Sequence, residues 1–151
     1  MATVYGVNAT KFLDPKPDNI IDGSQVGGTI KFMYDEYVAS SLAASDIITV
    51  GAPLPNGAMV LDIIVNFGDL GTGTTLDVGD SNDVDRYLDG VDTATAAGKS
   101  KMSGSTATIG PIGGIGYVIG TNSGDNQIIA TNLGASATGT IKFQIIYAFR
   151  G

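Results

Sequence analysis

The residues whose type and spacing could do chemistry lie between positions 77 and 92. Asp77, Asp80, Asp83, Asp85, Asp89 and Asp92 fall in this one stretch with Asn82 among them, and hard oxygen ligands gathered in one loop are what Ca²⁺ requires. Asp77, Asp80, Asn82, Asp83 and Asp85 are the candidate ligands. The spacing departs from the helix-loop-helix calcium loop, because counting from Asp80 puts Val84 at the fifth position and Asp85 at the sixth, where the sharp turn needs glycine. Arg86 stands beside these carboxylates, and a charge-assisted pair with one of them would order the loop without a metal. That pairing is the preferred reading, and no cofactor is expected. Paired carboxylates also hydrolyse glycosides; such sites come with aromatic platforms, whereas aromatics here total 7% and tryptophan is absent.

Two glycine-rich stretches imitate nucleotide sites without meeting their geometry. Gly98-Lys99-Ser100 resembles the end of a phosphate-binding loop, but Thr93 stands where that motif needs its first glycine. Gly110-Pro111-Ile112-Gly113-Gly114-Ile115-Gly116 breaks the dinucleotide spacing and opens no helix. Asn8-Ala9-Thr10 matches a glycosylation sequon, read here as chance in a chain with no sign of entering a secretory pathway. The chain contains no histidine and no cysteine, which removes histidine-based triads, thiolate metal sites and disulfides together. Catalysis is not expected.

These residues must be positioned by β-structure. Ile30, Phe32, Tyr34 and Val38 share one face at period two with Thr29, Lys31 and Asp35 on the other, the pattern of a half-buried strand. Residues 39–44 are expected to form a helical turn, and residues 46–50 a second strand ended by Gly51 and Pro53. Met59, Leu61, Ile63, Val65 and Phe67 alternate with Val60, Asp62, Ile64 and Asn66, and this mixed second face marks Val60 and Ile64 as candidate interface residues. Further runs follow at 74–78 and around Arg86-Tyr87-Leu88, then a polar stretch at 92–104 reads as a surface loop. Residues 106–109, 115–119 and 127–131 read as short strands between turns. The last strand sets Ile141, Phe143, Ile145, Tyr147 and Phe149 against Lys142, Gln144 and Ala148.

The pattern predicts an all-β fold, a two-sheet antiparallel jelly-roll-like sandwich of about eight strands. The 22 glycines are spread between the apolar runs, as many short connections require. Residues 1–24, which run into Asp14-Pro15-Lys16-Pro17, are expected to form an extended arm, and residues 25–151 a single β-sandwich domain. Within the arm Val4, Tyr5, Val7, Phe12 and Leu13 are candidate interface residues. A net charge of −7 disfavours nucleic acid, and no apolar run approaches membrane-spanning length. A soluble chain, made in the cytoplasm of its producer, is expected.

The run Thr75-Leu76-Asp77-Val78-Gly79-Asp80-Ser81-Asn82-Asp83-Val84-Asp85-Arg86-Tyr87-Leu88, the opening Ala2-Thr3-Val4-Tyr5-Gly6-Val7-Asn8-Ala9-Thr10-Lys11 and the closing Gly139-Thr140-Ile141-Lys142-Phe143 resemble small structural proteins of tailed bacteriophages, the capsid decoration or cement proteins. The resemblance implies a jelly-roll module, often trimeric, bound to the outer surface of the head and bridging major capsid subunits, with no catalytic residues to transfer. Its partners would be the major capsid protein and further copies of itself, its place the virion. An arm ahead of a β domain suits that role, since it can lie across a neighbour. The alternative is a receptor- or glycan-binding fibre or tail module, for which Tyr87 and Tyr117 are the candidate exposed aromatics. A tail or head-completion protein is a close variant.

Overall fold

The computed structural model describes residues 4, 6–13, 16, 20, 25–104 and 114–150. A short helix, α1 (Val7–Leu13), comes first. It is followed by β1 (Thr29–Leu42), β2 (Ile47–Thr49), β3 (Met59–Phe67), β4 (Thr74–Asp80), β5 (Asp83–Asp92), β6 (Gly98–Lys101), β7 (Ile129–Gly134) and β8 (Ala137–Phe149). The strands make two four-stranded antiparallel sheets, ordered β1-β8-β3-β6 and β2-β7-β4-β5. Successive strands cross between the sheets except at β4–β5, so most of the pairing is between distant parts of the chain.

The core lies between the sheets because each strand turns one apolar row inward. Ile63, Val65 and Phe67 of β3 and Ile141, Phe143 and Ile145 of β8 meet Leu76 and Val78 of β4, Leu88 of β5 and Ala130 of β7 in one buried cluster. Each large apolar side chain so enclosed contributes about 1.5–3 kcal/mol by leaving water. Gly79 allows the tightest approach, since a Cβ there would run into the backbone of Asp83 and Val84 across the β4–β5 hairpin.

Several expectations change. Residues 7–13 are helical where extended chain was expected; they carry neither glycine nor proline, and the helix stops ahead of Pro15 and Pro17, which cannot continue one. The helical turn expected at 39–44 is instead the end of β1, which reaches Leu42 through a register shift after Ala39. Within the 92–104 loop, Gly98–Lys101 pairs with β3 as an edge strand, and Met102 plugs into the core from a 3-10 turn. Of the strand expected at 115–119 only an isolated bridge between Met59 and Val118 forms. The strand expected at 106–109 and the glycines at 110 and 113 lie outside the described residues.

Candidate functional site

The acidic stretch folds as the β4–β5 hairpin, which sets Asp80 and Asp83 around Arg86 and Asp77 apart from them. Asp80 is fully buried at the hairpin end, where it takes a 2.6 Å ion pair from Arg86 Nε and hydrogen bonds from the backbone N–H groups of Asn82 and Asp83. Asp77 lies on the other side of the strand and accepts the Gly90 N–H at 2.7 Å; burial pushes its carboxyl above the usual range. Asn82 donates to the Ser123 carbonyl, and Asp83 stands 3.7 Å from Arg86 Nη1. Among the described residues no three acidic side chains converge on one point. Of the five candidate calcium ligands, Asp80 and Asp83 share Arg86, Asp83 also meets Asp85, and Asp77 and Asn82 turn to the backbone of Gly90 and Ser123.

Arg86 also ties the hairpin to the segment after residue 114. Its guanidinium lies 4.0 Å over the Tyr117 ring, and the Tyr117 hydroxyl donates to Asp125 at 2.8 Å. Asp125 in turn accepts the N–H groups of Gly120 and Asn122. Burial alone would raise Asp125, but the donors from Asn122, Tyr117, Gly120 and Thr121 outweigh it and hold the carboxyl below its ordinary value. Tyr87 packs edge-on against Tyr117 and is fully buried. Neither tyrosine therefore offers the exposed loop ring a glycan platform needs. The cluster is a structural latch, in which every charged group already has its partner.

Among the described residues, large apolar side chains are exposed on the outer face of the β1-β8-β3-β6 sheet. Register aligns Phe32 of β1 with Ile146 of β8 and Asp62 of β3, and Tyr34 with Gln144, Ile64 and Lys101. Phe32 is 75% exposed, Tyr34 50% and the neighbouring Ile30 69%. Phe32, Tyr34, Gln144 and Ile146 line a shallow depression of about 360 Å³. The next row, Glu36, Lys142, Asn66 and Lys99, is polar, with Lys142 3.6 Å from Glu36, so the apolar area has a charged border. Patches of that make-up mark contact surfaces on soluble proteins.

The candidate interface residues separate on this surface. Ile64 lies half-buried on the outer face. Val60 does not: a bulge between Val60 and Asp62 inserts one residue into β3, shifting the alternation so that Val60 joins Ile63 in the core and is completely buried. Val4, Val7, Phe12 and Leu13 are all more than half exposed, while Tyr5 lies outside the described residues. The contribution of β1 was missed, because period two groups Ile30, Phe32, Tyr34 and Val38 on one face without saying which way that face points. A signal for the outer face of the central strands was present in the doublets Ile63-Ile64 and Ile145-Ile146, which interrupt strict alternation.

The strand order places the molecule among jelly-roll sandwiches. Among solved structures, it is similar to a chain of the "Cyanophage Pam1 capsid asymmetric unit", with TM-score 0.61 and 23% identity over 82% of this chain and 86% of that one. A chain of the "Capsid of Ralstonia phage GP4" matches with TM-score 0.56 and 22% identity over 82% and 86%. One from the "Acidic stable capsid structure of Helicobacter pylori bacteriophage KHP30" matches with TM-score 0.57 and 14% identity over 82% and 90%. At these identities the likeness is one of fold. No family model and no curated protein matches the sequence.

Proposed function

We infer that this chain is a non-enzymatic structural protein of a phage virion, bound to the outer surface of the head, where it bridges neighbouring major capsid subunits and stabilises the shell. The observation that carries this reading is the near end-to-end likeness of fold to chains in three phage capsid structures, covering 86–90% of those chains. The molecule's own chemistry fits it. Arg86 is spent on internal pairing with Asp80, and exposed apolar side chains gather on the outer face of β1 and on α1. Residues 1–24 would serve as the arm that clips onto adjacent subunits, with the β-sandwich as the body, and the assembled unit would be a homo-oligomer, a trimer in the simplest case.

Stabilisation follows from linkage: a protein that binds only the assembled lattice favours that lattice by its binding free energy, repeated over many sites. Purified protein mixed with mature heads and, separately, with unexpanded precursor shells tests the reading by co-sedimentation. Saturable binding to mature heads at a fixed ratio to the major capsid protein is expected. Binding to neither particle would overturn the head assignment and direct attention to tail components and to glycan arrays, the readout for the fibre alternative.

A further inference from the structure

β1, β6, β2 and β5 lie at the ends of the two sheets, and three of these edges are blunted. β2 has 3 residues, β6 has 4 with Lys99 and Lys101 among them, and β5 carries Asp83, Asp85, Asp89 and Asp92. Shortness and charge are how native edges avoid pairing with other chains. β1 has little of either: it runs for 14 residues without proline or glycine, and over its first six residues Lys31 is the only charge. Its one strand neighbour among the described residues is β8. A ladder N–H would donate to β8, whereas that of Glu36 donates to the Asp35 carboxylate at 2.8 Å and so faces the open edge. In antiparallel pairing the outward groups recur at every second residue, which sets the N–H and C=O groups of Ile30, Phe32 and Tyr34 along the same edge. Residues 29–32 are exposed on both faces of the strand.

We propose that the edge of β1 from Thr29 to Tyr34 takes up an extended segment of the major capsid subunit as a fifth strand, with an acidic residue of that segment beside Lys31. The proposal rests on the head-binding reading and names the contact through which it works. A row of open main-chain groups selects a strand, and the alternate side chains of that strand give specificity. On the outer face the incoming apolar side chains lie beside Ile30, Phe32 and Tyr34, extending the row that runs from Phe32 through Ile146. On the other face Lys31 sits 5.4 Å over the Phe149 ring and, among the described residues, has no acidic partner. An opposite charge directly across a strand pair is favourable. The β1 of a second copy meets that need poorly. Residues facing one another across a pair share a face, so its one acid able to meet Lys31 is Asp35, whose carboxylate is already held by the N–H groups of Glu36 and Gly51.

Purified protein mixed with mature heads tests it by co-sedimentation and by deuterium exchange read at single amides. The amides of Ile30, Phe32 and Tyr34, open in the free protein, are expected to exchange at least ~10-fold more slowly on heads, while those of Lys31 and Met33, already in the β1–β8 ladder, stay as they were. Ile30→Pro/Tyr34→Pro removes two outward donors and leaves the ladder intact, a substitution strands accept only at an edge. It should bind heads ~10-fold more weakly than Ile30→Thr/Tyr34→Thr, which keeps both N–H groups. Lys31→Glu should weaken binding and Lys31→Arg restore it. Wild-type binding with the amides of Ile30, Phe32 and Tyr34 as open as before, or a proline variant that binds like the threonine one, would overturn this proposal and leave the head-binding reading standing. Protection of the same amides in the free protein at high micromolar concentration would give the edge to a second copy and overturn it as well. A wild-type chain that binds no heads would overturn both.

Discussion

Val60 and Ile64 look equivalent on paper and differ completely in the folded chain. Val60→Asp places a carboxylate in a sealed core with no partner, a change worth several kcal/mol, and the protein is expected to lose its cooperative thermal transition. Ile64→Asp alters the outer face and is expected to leave the melting temperature within a few degrees of wild type. Arg86 makes a second residue-scale case. Arg86→Ala would strand the buried Asp80 carboxylate and uncover Tyr117, and breaking a buried pair from one side costs about 3–5 kcal/mol. Chemical denaturation should read a loss of that size. If Arg86→Ala proves neutral and the variant gains affinity for Ca²⁺, the latch is instead a disguised cation site.

At the level of elements, the β4–β5 hairpin and the segment from Gly114 to Asp125 act as one unit, because Arg86, Tyr117 and Asp125 are joined in series. The pH response follows from this chain. Asp125 is held below the ordinary carboxylate value, so its contribution to stability is full above the unfolded value of ~3.9 and is lost as pH falls through the depressed folded value. Asp77 has the opposite sign. Its folded value is raised, so its contribution is full below the unfolded value and fades as pH rises through the folded one. Asp125→Asn is expected to lower the melting temperature at pH 7 and to flatten the acid limb of the stability profile. Asp77→Asn should flatten the part of the profile just above the ordinary carboxylate range instead.

At the scale of the whole molecule, the sandwich body and the N-terminal segment are expected to separate in function. No residue of α1 contributes to the core, so deleting residues 1–13 should leave the melting temperature unchanged while head binding falls sharply. Wild-type co-sedimentation by the truncated protein would remove the arm from the interface.

How much of this molecule could be read from its sequence follows the range of the interactions involved. Alternation along 59–67 and 141–149, glycine punctuation and the placing of Arg86 beside a run of aspartates are local facts, and they were enough for a two-sheet β-sandwich and for an Arg86 ion pair. Period two says that the apolar residues of β1 share a face; it cannot say whether that face looks inward, because the answer depends on where β8 and the opposite sheet lie. The bulge that buries Val60 is likewise a property of register between β3 and β8, not of either strand alone. β6 hides in a polar stretch because an edge strand with one neighbour needs little apolar character. Composition and periodicity thus determined the class of structure, while long-range strand pairing alone decided which apolar residues became core and which were left on the surface.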